Sequence, residues 1–171
     1  MERKNAVTMK GNPLTLVGPE LKIGDSAPDF KVVDKTLKEF TLNSFIGKIK
    51  LFSTTPSLDT PVCDAQVSRF NNEAAKLSEK VVIANISMDL PFAIGRFCQA
   101  KNVDKVVTLS DHRDASFGNA YGVLIKELRL LSRAIFIVDL SNKIRYIEIL
   151  KEVTNHPDYD KALEALAEIA K

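Results

Sequence analysis

The sequence predicts an α/β chain in which a mixed central sheet is covered by helices. Apolar, β-favouring residues at 49–52 and 81–87 bracket a stretch where Cys63, Val67, Phe70, Ala74 and Leu77 recur at spacings of four and three, the period of a helix with one buried face. The run from Val81 to Ser87 is nearly continuous in apolar character, as in a strand covered on both faces, so the helix before it reads as a βαβ crossover. Strand and helix then keep alternating until a hairpin and a closing helix, an order that suits a sheet flanked on both sides.

Taken in order, Val7 to Lys10 and Leu14 to Val17 flank Gly11-Asn12-Pro13, which predicts a leading β-hairpin. A loop from Gly24 enters a strand at Phe30 to Val33, and Asp34 to Lys38 turns towards Phe40-Thr41-Leu42. Asn43 to Gly47 reads as a short helix or turn, and Lys48 to Thr54 as the next strand. Asp59 or Thr60 suits an N-cap, with Pro61 in the first turn of a helix reaching Ser78-Glu79-Lys80. Leu90-Pro91 opens a second helix that contains Cys98. Val106 to Leu109 is a strand, and Asp114 to Tyr121 a short helix stopped by Gly122, which can adopt the left-handed cap conformation. Ala134 to Asp139 and Ile144 to Ile149 form a hairpin across Leu140 to Lys143, and the last helix spans Asp158 to Ala170 with Leu163, Leu166 and Ala167 on one side.

With 171 residues, 45% of them hydrophobic, residues 1–171 are expected to form one domain with a core of its own. The 24 basic and 22 acidic side chains leave a net charge of +2 and are scattered. No nucleic-acid or membrane-surface partner is therefore expected. Charged residues at the start are followed by no apolar leader, and no run approaches the roughly 18 apolar residues of a membrane span. A cytoplasmic location is expected. Two cysteines in such a chain point to catalysis or redox chemistry before a disulfide scaffold. The two cysteines and two histidines are not at paired ligand spacing, and no metal or organic cofactor is expected.

Chemistry concentrates in the segment from Thr54 to Asp64, between a strand and a helix. Cys63 falls in the opening helical turn, where free N–H groups and the positive end of the dipole favour a thiolate over a thiol. A cysteine on an apolar helical face is ordinarily a small buried hydrophobe, but here Pro56 and Pro61 stiffen the loop, and the Thr60 hydroxyl, three residues upstream, can donate to sulfur. Cys98, thirty-five positions further on, is on its own either a packed core thiol beside Phe97 or a redox partner. Two cysteines on different helices can bridge only with Cα atoms within about 7 Å, which requires local unwinding. A cation that supports a thiolate is best supplied by a guanidinium, and Arg133, just before an apolar strand, and Arg113, between two aspartates, are the two candidates.

Pro56-x-x-x-Thr60-x-x-Cys63 resembles the active-site pattern of the peroxiredoxins, and Pro-Ser-Leu-Asp-Thr-Pro-Val-Cys resembles their thiol peroxidase branch, the thioredoxin-dependent atypical two-cysteine enzymes. The Ala27-Pro28-Asp29-Phe30 run, Tyr121-Gly122-Val123 and Pro157-Asp158-Tyr159 are further landmarks, so the resemblance extends from about Val7 to the C-terminus. The stretch between Tyr121 and Arg133 is shorter than the family pattern and lacks its Gly-Pro-Leu run. The resemblance implies a thioredoxin-like fold and a homodimer. It also implies a Cys63 sulfenic acid formed by hydrogen peroxide or an organic hydroperoxide, resolved by Cys98 as an intramolecular disulfide and recycled by thioredoxin. Pro56, Thr60 and Arg133 would complete the site. Two other readings of the thiols stay in view: a cysteine hydrolase with His112 as base, and a non-enzymatic thioredoxin-like redox sensor or binding module. No Cys-x-x-Cys occurs, which disfavours a general disulfide oxidoreductase.

Overall fold

In the computed structural model, which describes all 171 residues, the alternation of side chains along three strands decides which core each residue joins. Strand β5 (Ile49–Thr54), β6 (Val81–Ser87) and β10 (Ala134–Val138) lie side by side. Along them Phe52, Ala84, Ile86, Ala134, Phe136 and Val138 face one apolar cluster, while Ile49, Leu51, Ile83, Ile135 and Ile137 face another, as a period of two requires. Helices α1 (Pro61–Ala74), α2 (Pro91–Lys101) and α4 (Tyr159–Ile169) supply Val67, Phe70, Ile94, Cys98, Ala162 and Leu166 to the second cluster. The first is dominated by aromatic rings: Phe30 meets Phe52 edge to face at 5.4 Å, and Phe117 stacks on Tyr121 at 4.0 Å, arrangements that suit the ring quadrupoles.

The large sheet runs β11-β10-β5-β6-β7-β3-β4, adding β3 (Val32–Asp34), β4 (Glu39–Phe40), β7 (Val107–Ser110) and β11 (Ile144–Ile149). β5, β6 and β7 are mutually parallel and joined through α1 and α2; β10 is antiparallel to β5. The expected crossovers and mixed sheet are present. Leu42–Phe45 is a 3₁₀ turn.

Several boundaries differ from the sequence reading. The first strand of the hairpin is longer, β1 spanning Glu2–Met9 against β2 (Asn12–Val17), with an irregularity between Arg3 and Val7 where Asn5 has φ 55°. Charged residues at 2–4 mask that edge strand, since only one side of it is buried. The hairpin is also half of a second sheet, β1-β2-β8-β9, whose other strands are Leu124–Ile125 and Leu130–Leu131. These two-residue strands occupy the short interval before Arg133 and are too brief for a period to register. Helix α1 stops at Ala74, short of Ser78; Lys76 and Leu77 donate to carbonyls only three residues back, a tightened exit that ends the periodic stripe. Helix α3 is limited to Ser116–Ala120, held by the buried Asp111 carboxylate, which accepts the N–H groups of Phe117 and Gly118. Burial pushes that carboxyl up to about 6. Gly122, at φ +67°, has no room for a Cβ, which would stand 1.9 Å from the Pro19 carbonyl oxygen, so the sequence marker for the helix end also reflects a close backbone approach.

The two sheets meet after β11. There Glu152 accepts hydrogen bonds from the Thr8 hydroxyl (2.8 Å) and from the N–H groups of Lys10 (3.0 Å) and Gly11 (3.1 Å). The Thr154 hydroxyl contributes most, and with the Gly11 N–H, the Thr8 hydroxyl and the Thr154 N–H holds this carboxyl at about 2. A carboxyl lowered in the folded state stabilises it above its ordinary range near 4.5 and loses that contribution as pH falls towards 2. Acidification across this window should therefore raise amide exchange in β1 and β2 before the large sheet, and Glu152→Gln should abolish the pH dependence of that difference. Uniform exchange in both sheets at every pH would contradict the anchoring role.

Candidate active site

β5 delivers the chain to the site: the Thr55 N–H continues its pairing by donating to the Ile86 carbonyl (3.1 Å), and Pro56 follows, buried. Thr60 takes an extended conformation at the N-cap, and Pro61 occupies the first helical position, where its missing N–H costs nothing. Cys63 is the third residue of α1 and has no exposed surface. Thr60 departs from expectation. Its hydroxyl donates to the Ser57 carbonyl at 3.0 Å, and the residue is exposed; a carbonyl in the same turn is reached more readily than the sulfur buried behind the helix.

The sulfur has another partner. Arg133 Nη2 donates to Cys63 Sγ at 3.3 Å, Nη1 to Gln66 Oε1 at 2.7 Å, and Nε to the Val153 carbonyl at 2.8 Å. Arg133 is 2% exposed, and each of its three guanidinium nitrogens donates one hydrogen bond, three of its five N–H groups. No carboxylate pairs with Arg133; every salt bridge in the chain involves other residues. A buried cation among neutral dipoles is costly unless a negative charge stands beside it. Cys63 is the contacting group that can carry that charge, aided by the dipole of α1.

Gln66 is the participant that sequence reasoning missed. It is fully buried, and its amide bridges Arg133 to the Ser53 hydroxyl, Nε2 donating at 2.6 Å. Ser53 in turn donates to Asn85 Oδ1 (3.1 Å), and Asn85 donates to the Thr55 hydroxyl (3.1 Å). Its position three residues after Cys63, on the same face, was the available signal: a polar residue inside an apolar stripe needs a partner.

Cys98 lies on α2, 4% exposed, with Sγ 3.2 Å from the Thr108 hydroxyl. Both cysteines are free thiols. Arg113 is half exposed and 3.8 Å from Glu39, far from forming a buried contact. The aspartates that flank it are not its ion-pair partners. His112 shares a hydrogen bond with the Ser110 hydroxyl (2.9 Å) at the end of β7 and is not brought to Cys63. Tyr159 instead packs over α1, edge to face with Phe70 (5.6 Å) and beneath the Arg69 guanidinium. Burial pushes its phenol up.

Arg133→Met should slow the reaction with peroxide that the resemblance implies for Cys63 about 10²-fold or more, the range seen when one preorganised donor is lost from a site. Arg113→Met should leave that rate unchanged. Stopped-flow measurement of the second-order rate constant checks both, and the opposite ranking would exchange the roles of the two arginines.

The Redoxin family model matches residues 22–163. The chain is 54% identical over 165 residues to a thiol peroxidase of Bacillus subtilis, covering 96% of this chain and 98% of that one. It is 56% identical over 160 residues to a thiol peroxidase of Oceanobacillus iheyensis, covering 94% and 97%. Among solved structures, a peroxiredoxin-like protein from Aquifex aeolicus superposes with a TM-score of 0.90 at 42% identity, over 96% of this chain and 97% of that chain. A thiol peroxidase from Chromobacterium violaceum gives 0.83 at 26% identity, over 95% of each.

Proposed function

The chain belongs to the Redoxin family, within its thiol peroxidases, with their thioredoxin-like fold and thiol-dependent peroxidase activity, and from that premise we propose how its two thiols divide the work. Cys63, as thiolate, attacks the terminal oxygen of hydrogen peroxide or an organic hydroperoxide. An S–O bond forms, the O–O bond breaks, and water or an alcohol leaves after taking a proton, so sulfur is oxidised to a sulfenic acid while the peroxide is reduced. The carrying observation is the buried guanidinium of Arg133 at 3.3 Å from the sulfur, with no carboxylate to neutralise it. The same cation stabilises charge developing on the peroxide oxygens. Pro56 shapes the loop, and Thr60, whose hydroxyl proton goes to the Ser57 carbonyl, has its hydroxyl oxygen left to accept a hydrogen bond from the incoming peroxide.

In the second half the Cys98 thiol attacks the sulfenic sulfur, the Cys63–Cys98 bond forms and water leaves. Thioredoxin restores both thiols by dithiol exchange. The working unit is a homodimer, which sedimentation would report.

The test is stoichiometric. One equivalent of peroxide should remove two thiols per chain and give an intramolecular Cys63–Cys98 link in the peptide map, and a thioredoxin-coupled assay should then consume peroxide continuously. A link formed without turnover would instead make the chain a redox sensor, and links only between chains would remove Cys98 from the resolving role.

A further inference from the structure

Closure of a Cys63–Cys98 bond needs both sulfurs to leave their present partners, because Cys63 is held by Arg133 and Cys98 lies against Thr108. The first turn of α1, which carries Cys63, must therefore move relative to α2, which carries Cys98 as its eighth residue, since an S–S bond requires Cα atoms within about 7 Å. What joins the starts of the two helices is a single side chain. Asp89 stands two residues before α2, and one of its oxygens, Oδ2, accepts the Leu58 N–H (2.8 Å) and the Ser87 hydroxyl (2.8 Å). Its other oxygen, Oδ1, accepts the Ser57 hydroxyl at 2.8 Å. Ser57 passes the restraint onward: its oxygen accepts the Asp59 N–H (3.2 Å), and its carbonyl accepts the Thr60 hydroxyl (3.0 Å). The segment that opens α1 is thus tied, through one carboxylate, to the segment that opens α2.

We propose that Asp89 is a positioning residue that latches the Cys63 loop to the start of the Cys98 helix and so sets the competition between disulfide closure and further oxidation of the sulfenic acid. The proposal rests on the two-cysteine reading given above. With the latch closed, Thr60 and the first turn of α1 are ordered for attack on peroxide. While it stays closed, the new sulfenic acid cannot meet Cys98. A second peroxide can then oxidise it to the sulfinic acid, one more S–O bond forming as another O–O bond breaks and another water or alcohol leaves. Releasing the latch admits Cys98 and expels water as the disulfide forms. Hydrogen bonds to a charged acceptor are stronger than neutral ones, so the carboxylate, and not merely a polar side chain, is required for the restraint.

Asp89→Asn keeps the size but removes the charge and one acceptor. It should speed closure of the sulfenic acid to the disulfide about tenfold, slow the first reaction with peroxide severalfold, and lower the sulfinic fraction formed at high peroxide. Ser57→Ala, which deletes the bond to Asp89 Oδ1 and the one accepted from the Asp59 N–H, should shift all three in the same direction by less. The double variant should fall short of the sum of the two single changes, since the Asp89–Ser57 bond they share can be removed only once. Stopped-flow fluorescence separates the two rates, and intact mass reads the sulfinic fraction. Faster closure with less sulfinic acid in both single variants, and a double variant that falls short of their sum, supports the latch, because unrelated destabilisation at two sites would add. Closure at the wild-type rate in both variants, with the disulfide still formed in wild type, overturns it. Absence of the disulfide in wild type would overturn the two-cysteine reading instead, and the latch with it.

Discussion

Replacing Cys63 by serine should abolish peroxide reduction while leaving the fold intact. An alcohol of the same size keeps the packing between α1 and the sheet but remains protonated where a thiol would ionise, and it is a far weaker nucleophile towards oxygen. The expected loss is total within the sensitivity of a coupled assay, with an unchanged circular dichroism spectrum as control. Even a tenth of the wild-type rate would mean that another group performs the attack. The serine variant should also be less stable, because Arg133 would then be a buried cation facing a neutral hydroxyl, and an uncompensated buried charge is strongly destabilising.

The second large effect is expected at Cys98. Cys98→Ser should leave the first reaction with peroxide nearly unchanged, since Cys98 touches Thr108 and the apolar cluster of α2 and makes no contact with Cys63. Turnover with thioredoxin should collapse. The sulfenic acid would have no partner and under excess peroxide should climb to the sulfinic acid, visible in intact mass as the gain of two oxygens. Normal turnover of this variant would leave Cys98 as a packed core thiol, and the second half of the proposed cycle would fail.

The parts of this molecule that could be read from its sequence are those governed by local periodicity. The apolar run of β6, the stripe of α1 and the hairpin of β10 and β11 each repeat with the period of the element they form. The short strands β8 and β9 and the charged first strand do not, because what makes them strands is pairing with distant backbone. In the site, the place of Cys63 at a helix start follows from Thr60 and Pro61. Its contact with Arg133, seventy positions away, does not; that arginine is a candidate only from its place before β10 and from what the family resemblance implies. Gln66 and Asp89 escaped for a related reason. Both are ordinary polar residues in sequence, and their importance lies in joining groups brought together only by the folded sheet.

The hydrogen bond from Arg133 Nε to the Val153 carbonyl has a consequence for how this site would look to saturation mutagenesis. A backbone oxygen is supplied by every amino acid, so no exchange at 153 deletes the bond, and that position would tolerate apolar residues of similar bulk as any core position does. Sensitivity should appear elsewhere, at the residues that fix where the carbonyl stands. The Val153 N–H is held by the Thr8 carbonyl and the neighbouring Glu152 by the Thr8 hydroxyl. An affinity tag or truncation at the N-terminus that disturbs β1 would therefore reach the arginine through the main chain, lowering activity in a protein whose entire active-site sequence is unaltered.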